Sequence, residues 1–380
     1  MRKIAVLTGK RGGFGAMKPM LRRIVADPEL ELTLVVTDQH LDPAFGATIA
    51  EVEREFPVAA RIEMGPQDGS ALARARALGA CLTNMAGALA ELAPDVLVLY
   101  GDRGEVLAAA TAAIHLRIPI AHVQGGDVTG NVDELIRHAV TKLAHLHFPA
   151  TAASAARIQA MGEEAWRVHV VGDNHLDCLI AGEYTPAPEL RCRYEIGDGE
   201  MPILVLLHPE TTARRDSYAD ARFVFEAVLA QCRRTIMVYP CSDHGYDGIV
   251  RALDEVRDRP GVSVHKNIEA HDFWGLMAIA SVIVGNSSAA LIETPTLRLP
   301  AINVGERQRG RLRAGNVLDV PFETEAITAA LRRAFTDRAT LAACDQPFGD
   351  GHAGERIVNV LATVELGPRL FDKRLVSRDG

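Results

Sequence analysis

The chain is 380 residues long, carries a formal net charge of −8 at pH 7, and is 48% hydrophobic, 24% charged and 5% aromatic. That length exceeds one ordinary core, so two domains are expected, and the acidic balance excludes nonspecific nucleic-acid binding, which needs a basic surface. It leaves open a local basic pocket for a phosphorylated small molecule.

Residues 4–8 read as a first strand. The apolar run there is too short for a secretion signal, and no run in the chain is long enough to span a bilayer. Gly9, Lys10, Arg11, Gly12, Gly13, Phe14 and Gly15 make a glycine-rich loop, followed by a helix over about residues 16–26. Strand, loop and helix form a Rossmann-like opening, although the glycine spacing is not GxGxxG. Lys10 and Arg11 fit an anion at the helix N-terminus and a solvated basic loop tip equally well. Residues 32–36 form the second strand and end in Thr37, Asp38, Gln39 and His40. A helix covers residues 70–92. The strand at 96–100 then runs into Gly101, Asp102 and Arg103, and Glu105 opens an Ala-rich helix. A lone Asp such as Asp102 is commonly just an N-cap.

Residues 118–148 read IPIAHVQGGDVTGNVDELIRHAVTKLAHLHF. The apolar run 118–123 has the length of a buried strand and stops at Gly125 and Gly126. Asp127, Asp133, Glu134, Arg137 and His138 follow closely. Asn131 is the expected N-cap of a helix whose apolar face holds Leu135, Ala139, Val140, Leu143 and Leu146. Ligands of open α/β sheets bind beyond the carboxyl ends of strands. Several carboxylates, an Arg and a His at that position exceed what packing needs.

Residues 168–171 form another short strand, ending in Gly172, Asp173, Asn174 and His175. Pro186 and Pro188 mark a linker over 184–190. The βα alternation then resumes, with strands at 203–207, 235–239, 262–264, 280–284 and 301–304. The expected architecture is α/β: two Rossmann-like doubly wound domains, 1–182 and 190–366, whose strand ends face one cleft. The last helix covers 354–366, and the tail 367–380 is loose or a crossing helix end. The six cysteines (Cys81, Cys178, Cys192, Cys232, Cys241 and Cys344) form no CxxC pair. They read as reduced, mostly buried thiols of a cytoplasmic protein.

Gly285, Asn286, Ser287 and Ser288 at a helix start have the form of an anion site. A Ser there is often only a cap. Glu293, about one and a half turns on, can accept hydrogen bonds from ribose hydroxyls, and Arg307 adds charge from the end of the next strand. The second domain therefore reads as a holder of a nucleotide diphosphate. The first offers Asp102, Asp127, Asp133 and Glu134, with His208 at the front of the second. Carboxylates opposite a diphosphate site suit acid/base work on a sugar beside its leaving group. No HExxH and no paired cysteine ligands appear, so neither metal nor cofactor is expected.

Taken together, TGKRGGFG, VTDQHLDPAFGATI, YGDRGE, QGGDVTGNVDELIRHAVTKLAHLHF, LHPETT, GNSSAALIE and NVGERQRGR resemble the hydrolysing UDP-N-acetylglucosamine 2-epimerases of sialic and legionaminic acid synthesis over nearly the whole chain. The resemblance implies a GT-B arrangement with the active site between the domains. It implies the conversion of UDP-GlcNAc, or of the UDP sugar of diacetylbacillosamine, plus water to the 2-epimeric free sugar plus UDP. It assigns acid/base work to Asp102, Asp127 and Asp133, and UDP recognition to Arg11, His208, Ser287, Ser288, Glu293 and Arg307. Glu134 and His208 join the catalytic candidates, and Arg103 and Arg137 join the substrate-binding ones. Three departures stand out. Asp127 replaces the family's usual Glu, Gly12 and Gly13 replace an Ala-Glu pair of the sialic acid branch, and Cys241 follows Pro240 where the family often has Asn.

Two rivals remain on the same scaffold: a non-hydrolysing epimerase, which usually carries HVEAG where this chain has HVQGGD, and a GT-B glycosyltransferase. A binding module without catalysis is a third. The expected partner is a nucleotide-sugar substrate, with neither nucleic acid nor membrane involved, in a homo-oligomer (dimer or tetramer).

Overall fold

The computed structural model of the chain describes residues 1–43, 46–65, 70–129, 132–210, 215–241, 243 and 245–376, with the backbone alone at Arg11 and Ala71. The expected cap Asn131 and the candidate side chain of Arg11 lie outside the described residues, as do Thr211, Thr212 and Ser242.

Short runs rich in Val, Ile and Leu become strands, the central ones buried on both faces, the pattern of an all-parallel sheet. In the first unit these are β1 (Arg2–Thr8), β2 (Leu30–Thr37), β3 (Val58–Ile62), β4 (Val96–Tyr100), β5 (Ile120–Val123) and β6 (Leu146–Phe148). All pair parallel in the order β3-β2-β1-β4-β5-β6. Alternate residues face opposite sides. Ile4, Val6, Val96 and Val98 pack with α1 (Arg11–Ala26) and the helix Ala353–Thr363. Ala5, Leu7, Leu97 and Leu99 pack beneath α3 (Ala71–Leu92) and α4 (Gly104–His115). The short α2 (Ile49–Glu55) adds Val52 to the former face, and α5 (Val132–Leu143) adds Val140 to the latter.

The second unit repeats the plan with β7 (Ile203–Leu206), β8 (Thr235–Val238), β9 (Val262–His265), β10 (Val282–Gly285), β11 (Ala301–Val304) and β12 (Val317–Val320). Its order, β12-β11-β10-β7-β8-β9, is again all parallel. Each unit thus has the 3-2-1-4-5-6 order of a doubly wound dinucleotide-type sheet, reversing between β1 and β4 in one and between β7 and β10 in the other.

The units comprise Met1–Asp127, Asp133–Cys178 and Phe348–Gly380 in one, and Val128–Val132 and Leu179–Pro347 in the other. The boundary expected at 182–190 thus falls at Cys178, and the chain rejoins the first unit at Phe348 rather than leaving the second at 366. Pro186 caps a helix, Ala187–Arg193, instead of opening a free linker. The tail is tied down as far as residue 376. Arg167, fully buried, donates to the carbonyls of Arg369, Leu370 and Asp372 at 2.8–3.1 Å. Lys373 Nζ caps the end of α5 through the carbonyls of Thr141, Lys142 and Ala144.

Nine strands lie within two residues of their expected limits. Residues 168–171 do not form a strand; they touch the sheet through a single bridge, His147 to Val168. Leu146, expected on the α5 face, belongs to β6. Leu135 is exposed and so is Ala139, because the buried side of α5 is built from Arg137, Val140 and Thr141. The glycine-rich loop is largely the first turn of α1, which starts at Arg11. Of its glycines Gly9 admits a close neighbour: a Cβ there would stand 2.9 Å from the Glu105 carboxylate. The six thiols are free, but only Cys81 and Cys178 are buried.

Candidate active site

In the first unit the reversal point lies where β1 and β4 end. Tyr100 closes β4, Gly101 turns with φ +81°, and Asp102 follows. The helix after it, α4, has Arg103 and not Asp102 at its N-cap. The Asp102 carboxylate instead pairs with Arg137 of α5. Arg137 is 2% exposed, and its other arm donates to the Asp127 carbonyl at 2.9 Å. Burial alone would lower the guanidinium's pKa; the carboxylates of Asp102, Asp127 and Asp133 outweigh it and raise the pKa above its ordinary value. Arg137 therefore holds Asp102 by its carboxylate and Asp127 by its carbonyl, and the charge of Asp133 adds to the negative field around it.

Asp127 is set by the Gly-Gly turn. Gly126 has φ +82°, and a Cβ there would stand 2.4 Å from the Ser154 carbonyl. Ser154 Oγ, at the start of the helix Ala152–Ala160, donates to Asp127 Oδ1 at 2.6 Å. Arg157 of that helix donates to the Gly126 carbonyl. Glu134 lies 3.7 Å from His138, one helical turn on. Arg103, read as a substrate contact, is turned inward between Asp38 and Glu105, 3.9 and 3.5 Å away. Burial raises the Glu105 carboxyl, and the neighbouring Asp38 raises it further. A polar chain absent from the sequence reading runs alongside: Gln124 donates to Asp173 Oδ2 at 2.7 Å, and His175 Nδ1 lies 2.8 Å from Asp173 Oδ1 and 3.2 Å from the Tyr100 hydroxyl.

In the second unit the reversal point joins the ends of β7 and β10. Asn286, fully buried, accepts from the His208 N–H at 2.7 Å and donates to its carbonyl at 2.9 Å. Gly285 (φ +148°) is required there, since a Cβ would stand 2.0 Å from the Leu206 carbonyl. The Cys241 N–H donates to His208 Nδ1 at 2.9 Å. A backbone N–H can only donate, so Nδ1 accepts and the proton sits on Nε2. His208, read among the acid/base groups, is in this tautomer a donor suited to an oxygen of a diphosphate.

Arg307 donates to the Asn286 carbonyl at 3.3 Å and lies 3.5 Å from Asp243. Its backbone N–H donates to Glu210 Oε1 at 3.1 Å. Ser287 and Ser288 follow Asn286 directly, with Ser287 buried. The helix after them, Ala289–Ile292, is a single turn. One turn aligns too few peptides for a macrodipole, so an anion there would be held by side chains and single N–H groups. Glu293 closes that turn, buried, and accepts from the Trp274 indole at 3.1 Å. Asn286 was read as part of a motif and given no task; its two-way bond to His208 is invisible until β7 and β10 pair. Among the described residues no group of three His, Cys, Asp or Glu side chains is placed to hold a metal ion, and no helix is long and apolar enough to cross a membrane.

A family model described as UDP-N-acetylglucosamine 2-epimerase matches residues 22–362. Over 375 residues the chain is 34% identical to the UDP-N,N'-diacetylbacillosamine 2-epimerase (hydrolyzing) of Legionella pneumophila, spanning 98% of this chain and 99% of that one. It is 31% identical over 335 residues to the UDP-N-acetylglucosamine 2-epimerase of Neisseria meningitidis, spanning 88% of each. Among solved structures, the Neisseria meningitidis UDP-GlcNAc 2-epimerase bound to UDP-GlcNAc matches with a TM-score of 0.81 over 96% of this chain and all of that one, at 19% identity. The Methanocaldococcus jannaschii UDP-GlcNAc 2-epimerase with UDP-GlcNAc and UDP gives 0.79 over 95% of this chain and all of that one, also at 19% identity. At these identities the structural likeness is one of fold.

Proposed function

The chain belongs to the UDP-N-acetylglucosamine 2-epimerase family, and from that premise we propose that it is a hydrolysing 2-epimerase. Its substrate is UDP-GlcNAc or a 4-amino-6-deoxy relative such as UDP-N,N'-diacetylbacillosamine, and its products are the 2-epimeric free sugar and UDP, for nonulosonic acid synthesis. The observation that carries the catalytic reading is the ion pair that holds Asp102, just after the left-handed Gly101, on the buried Arg137, which also takes the Asp127 carbonyl. The full-length identity to a relative named as hydrolysing favours water as the second reactant.

In an α-linked gluco sugar the proton on carbon 2 and the departing UDP are trans-diaxial. A base removes that proton while the C1–O bond breaks and its electron pair leaves with UDP. The C2–H electrons become the C1=C2 bond of a glycal. Because the proton is not next to a carbonyl, the step leans on leaving-group departure. In the second unit His208 Nε2–H, the Ser287 and Ser288 hydroxyls and Arg307 are the groups suited to the diphosphate, and Glu293 is suited to the ribose. Water then adds its hydroxyl to carbon 1, and carbon 2 takes a proton from the opposite face, which inverts it. Asp102, ion-paired with Arg137, is presented as a carboxylate, the form a base needs. Asp127 or Asp133, in its neutral form, gives carbon 2 its proton, and the proton that the attacking water loses replaces it. The three carboxylates give this sequence its required donors and acceptors with no redox partner.

The test is incubation with each UDP sugar and no acceptor, followed by NMR. Free UDP and free 2-epimeric sugar support the reading. An epimerised sugar still attached to UDP, or no turnover until an acceptor is added, would point to the non-hydrolysing epimerase or the transferase.

A further inference from the structure

We propose that His122 is a positioning residue for Asp102: its imidazole fixes the Gly101 peptide from which the Asp102 carboxylate is presented. The inference rests on the acid/base role given to Asp102 above. His122 lies in β5, beside β4, and its side chain is fully buried. Its Nε2 is 2.8 Å from the Gly101 carbonyl oxygen and its Nδ1 is 3.2 Å from the Thr141 hydroxyl. A carbonyl can only accept, so Nε2 carries the proton. Nδ1 is then an acceptor, and the Thr141 hydroxyl is its donor. Burial lowers the ring's pKa to about 4, which keeps this neutral tautomer through the working range.

The consequence is a closed circuit. The Gly101 N–H already donates to the Val123 carbonyl at 3.1 Å. With the carbonyl held by His122, both polar groups of the left-handed residue before Asp102 are tied to β5. Thr141 belongs to α5, one turn beyond Arg137, and the two share its buried face. Arg137 returns to Asp102 through the ion pair. Strand end, neighbouring strand and helix are therefore locked by two links, one at the peptide before Asp102 and one at its carboxylate. Gly125 belongs to the same device: a Cβ there would press to 3.0 Å on both His122 Nδ1 and Thr141 Oγ1. A side chain at that position would crowd both partners of the His122–Thr141 hydrogen bond.

The test is a double-mutant cycle between His122→Phe and Asp102→Asn, with kcat and KM read from UDP release. His122→Phe keeps the ring volume and removes both hydrogen bonds. Small displacements of a reacting group cost about 100-fold in rate. In the wild-type background kcat should fall by about that factor, with KM and UDP affinity nearly unchanged. In the Asp102→Asn background the further loss should be less than about twofold, since a residue acting through Asp102 has nothing left to position. His122→Gln, which retains an amide donor, should recover part of the rate. An equal loss in both backgrounds, or a loss confined to KM, would overturn the proposal. If His122→Phe does not fold, Thr141→Val, of the same shape, enters the cycle with the same expected non-additivity and the same overturning result. If Asp102→Asn alone keeps full turnover, the role of Asp102 itself fails; that outcome is read from the single variant and is distinct from an additive cycle.

Discussion

Asp102 is defined by what surrounds it. It follows a left-handed glycine, it is not the cap of α4, and its carboxylate is paired with a guanidinium withdrawn from water. Asp102→Asn keeps the shape and removes the titrating group, so turnover should fall by about 100- to 10,000-fold. UDP affinity, measured by calorimetry, should hardly change. The melting temperature should drop by a few degrees, because the buried Arg137 loses the charge of its ion-pair partner. Unchanged turnover would remove Asp102 from the chemistry. In the second unit, Glu293→Gln keeps an acceptor for the Trp274 indole but removes the charge. A charged hydrogen bond contributes about 1.5–3 kcal/mol. UDP should therefore bind about 10- to 100-fold more weakly, with the fold intact by circular dichroism; unaltered affinity would count against the ribose assignment. The residue types of both sites were legible in the sequence, since polar groups after apolar runs mark strand ends. Their pairings were not. Arg103 and Arg137 read as substrate contacts because a free guanidinium and one buried against the protein's own carboxylates look alike in a string. His208 read as an acid/base group because its tautomer is set by Cys241, thirty-three residues away.

Among the elements, short apolar runs bounded by glycine and polar residues located nine of the twelve strands of the described residues. The three that escaped are short or diluted: β6 has three residues and continues the spacing of α5, β3 (VAARI) carries an Arg between its apolar positions, and β12 (VLDV) carries an Asp. The turn after β10 is the element most exposed to a single change. Gly285→Ala would drive a methyl into the Leu206 carbonyl at a φ that L-residues avoid. Strain of this kind costs about 1–3 kcal/mol, and the overpacking costs a similar amount. The variant should lose stability by several kcal/mol in urea denaturation. A midpoint equal to wild type would show that β7 and β10 can separate there freely. The C-terminal strap gives a pH signature. Burial raises the Glu163 carboxyl, but hydrogen bonds from His147, Lys142 and Lys373 outweigh it and bring the pKa down to about 2, against an ordinary value of 4.5. A depressed carboxyl contributes stability that is complete above the unfolded value and is lost as pH falls through the folded one. Wild-type melting temperature should therefore fall between about pH 4.5 and 2. Glu163→Gln should start lower and fall less steeply. Parallel curves would separate Glu163 from the acid response.

At the scale of the molecule, one strand order serves twice. Each unit reverses its sheet between its first and fourth strands, and the polar groups gather there: Asp102 and its neighbours after β4, His208 and Asn286 after β7 and β10. The repetition of βα units was readable. The return of residues from Phe348 to the first unit was not, because a helix that crosses back carries no local signal of its destination. This architecture supports many chemistries, so the reaction must be tested on the sites and not on the fold. The most direct test of the hydrolysing 2-epimerase is one reaction in deuterium oxide. The protein is mixed with UDP-GlcNAc or UDP-N,N'-diacetylbacillosamine, without acceptor, and followed by phosphorus and proton NMR. The expected result is free UDP together with a free 2-epimeric sugar carrying deuterium at carbon 2. A free sugar with no label at carbon 2, or a sugar that stays attached to UDP, would contradict it.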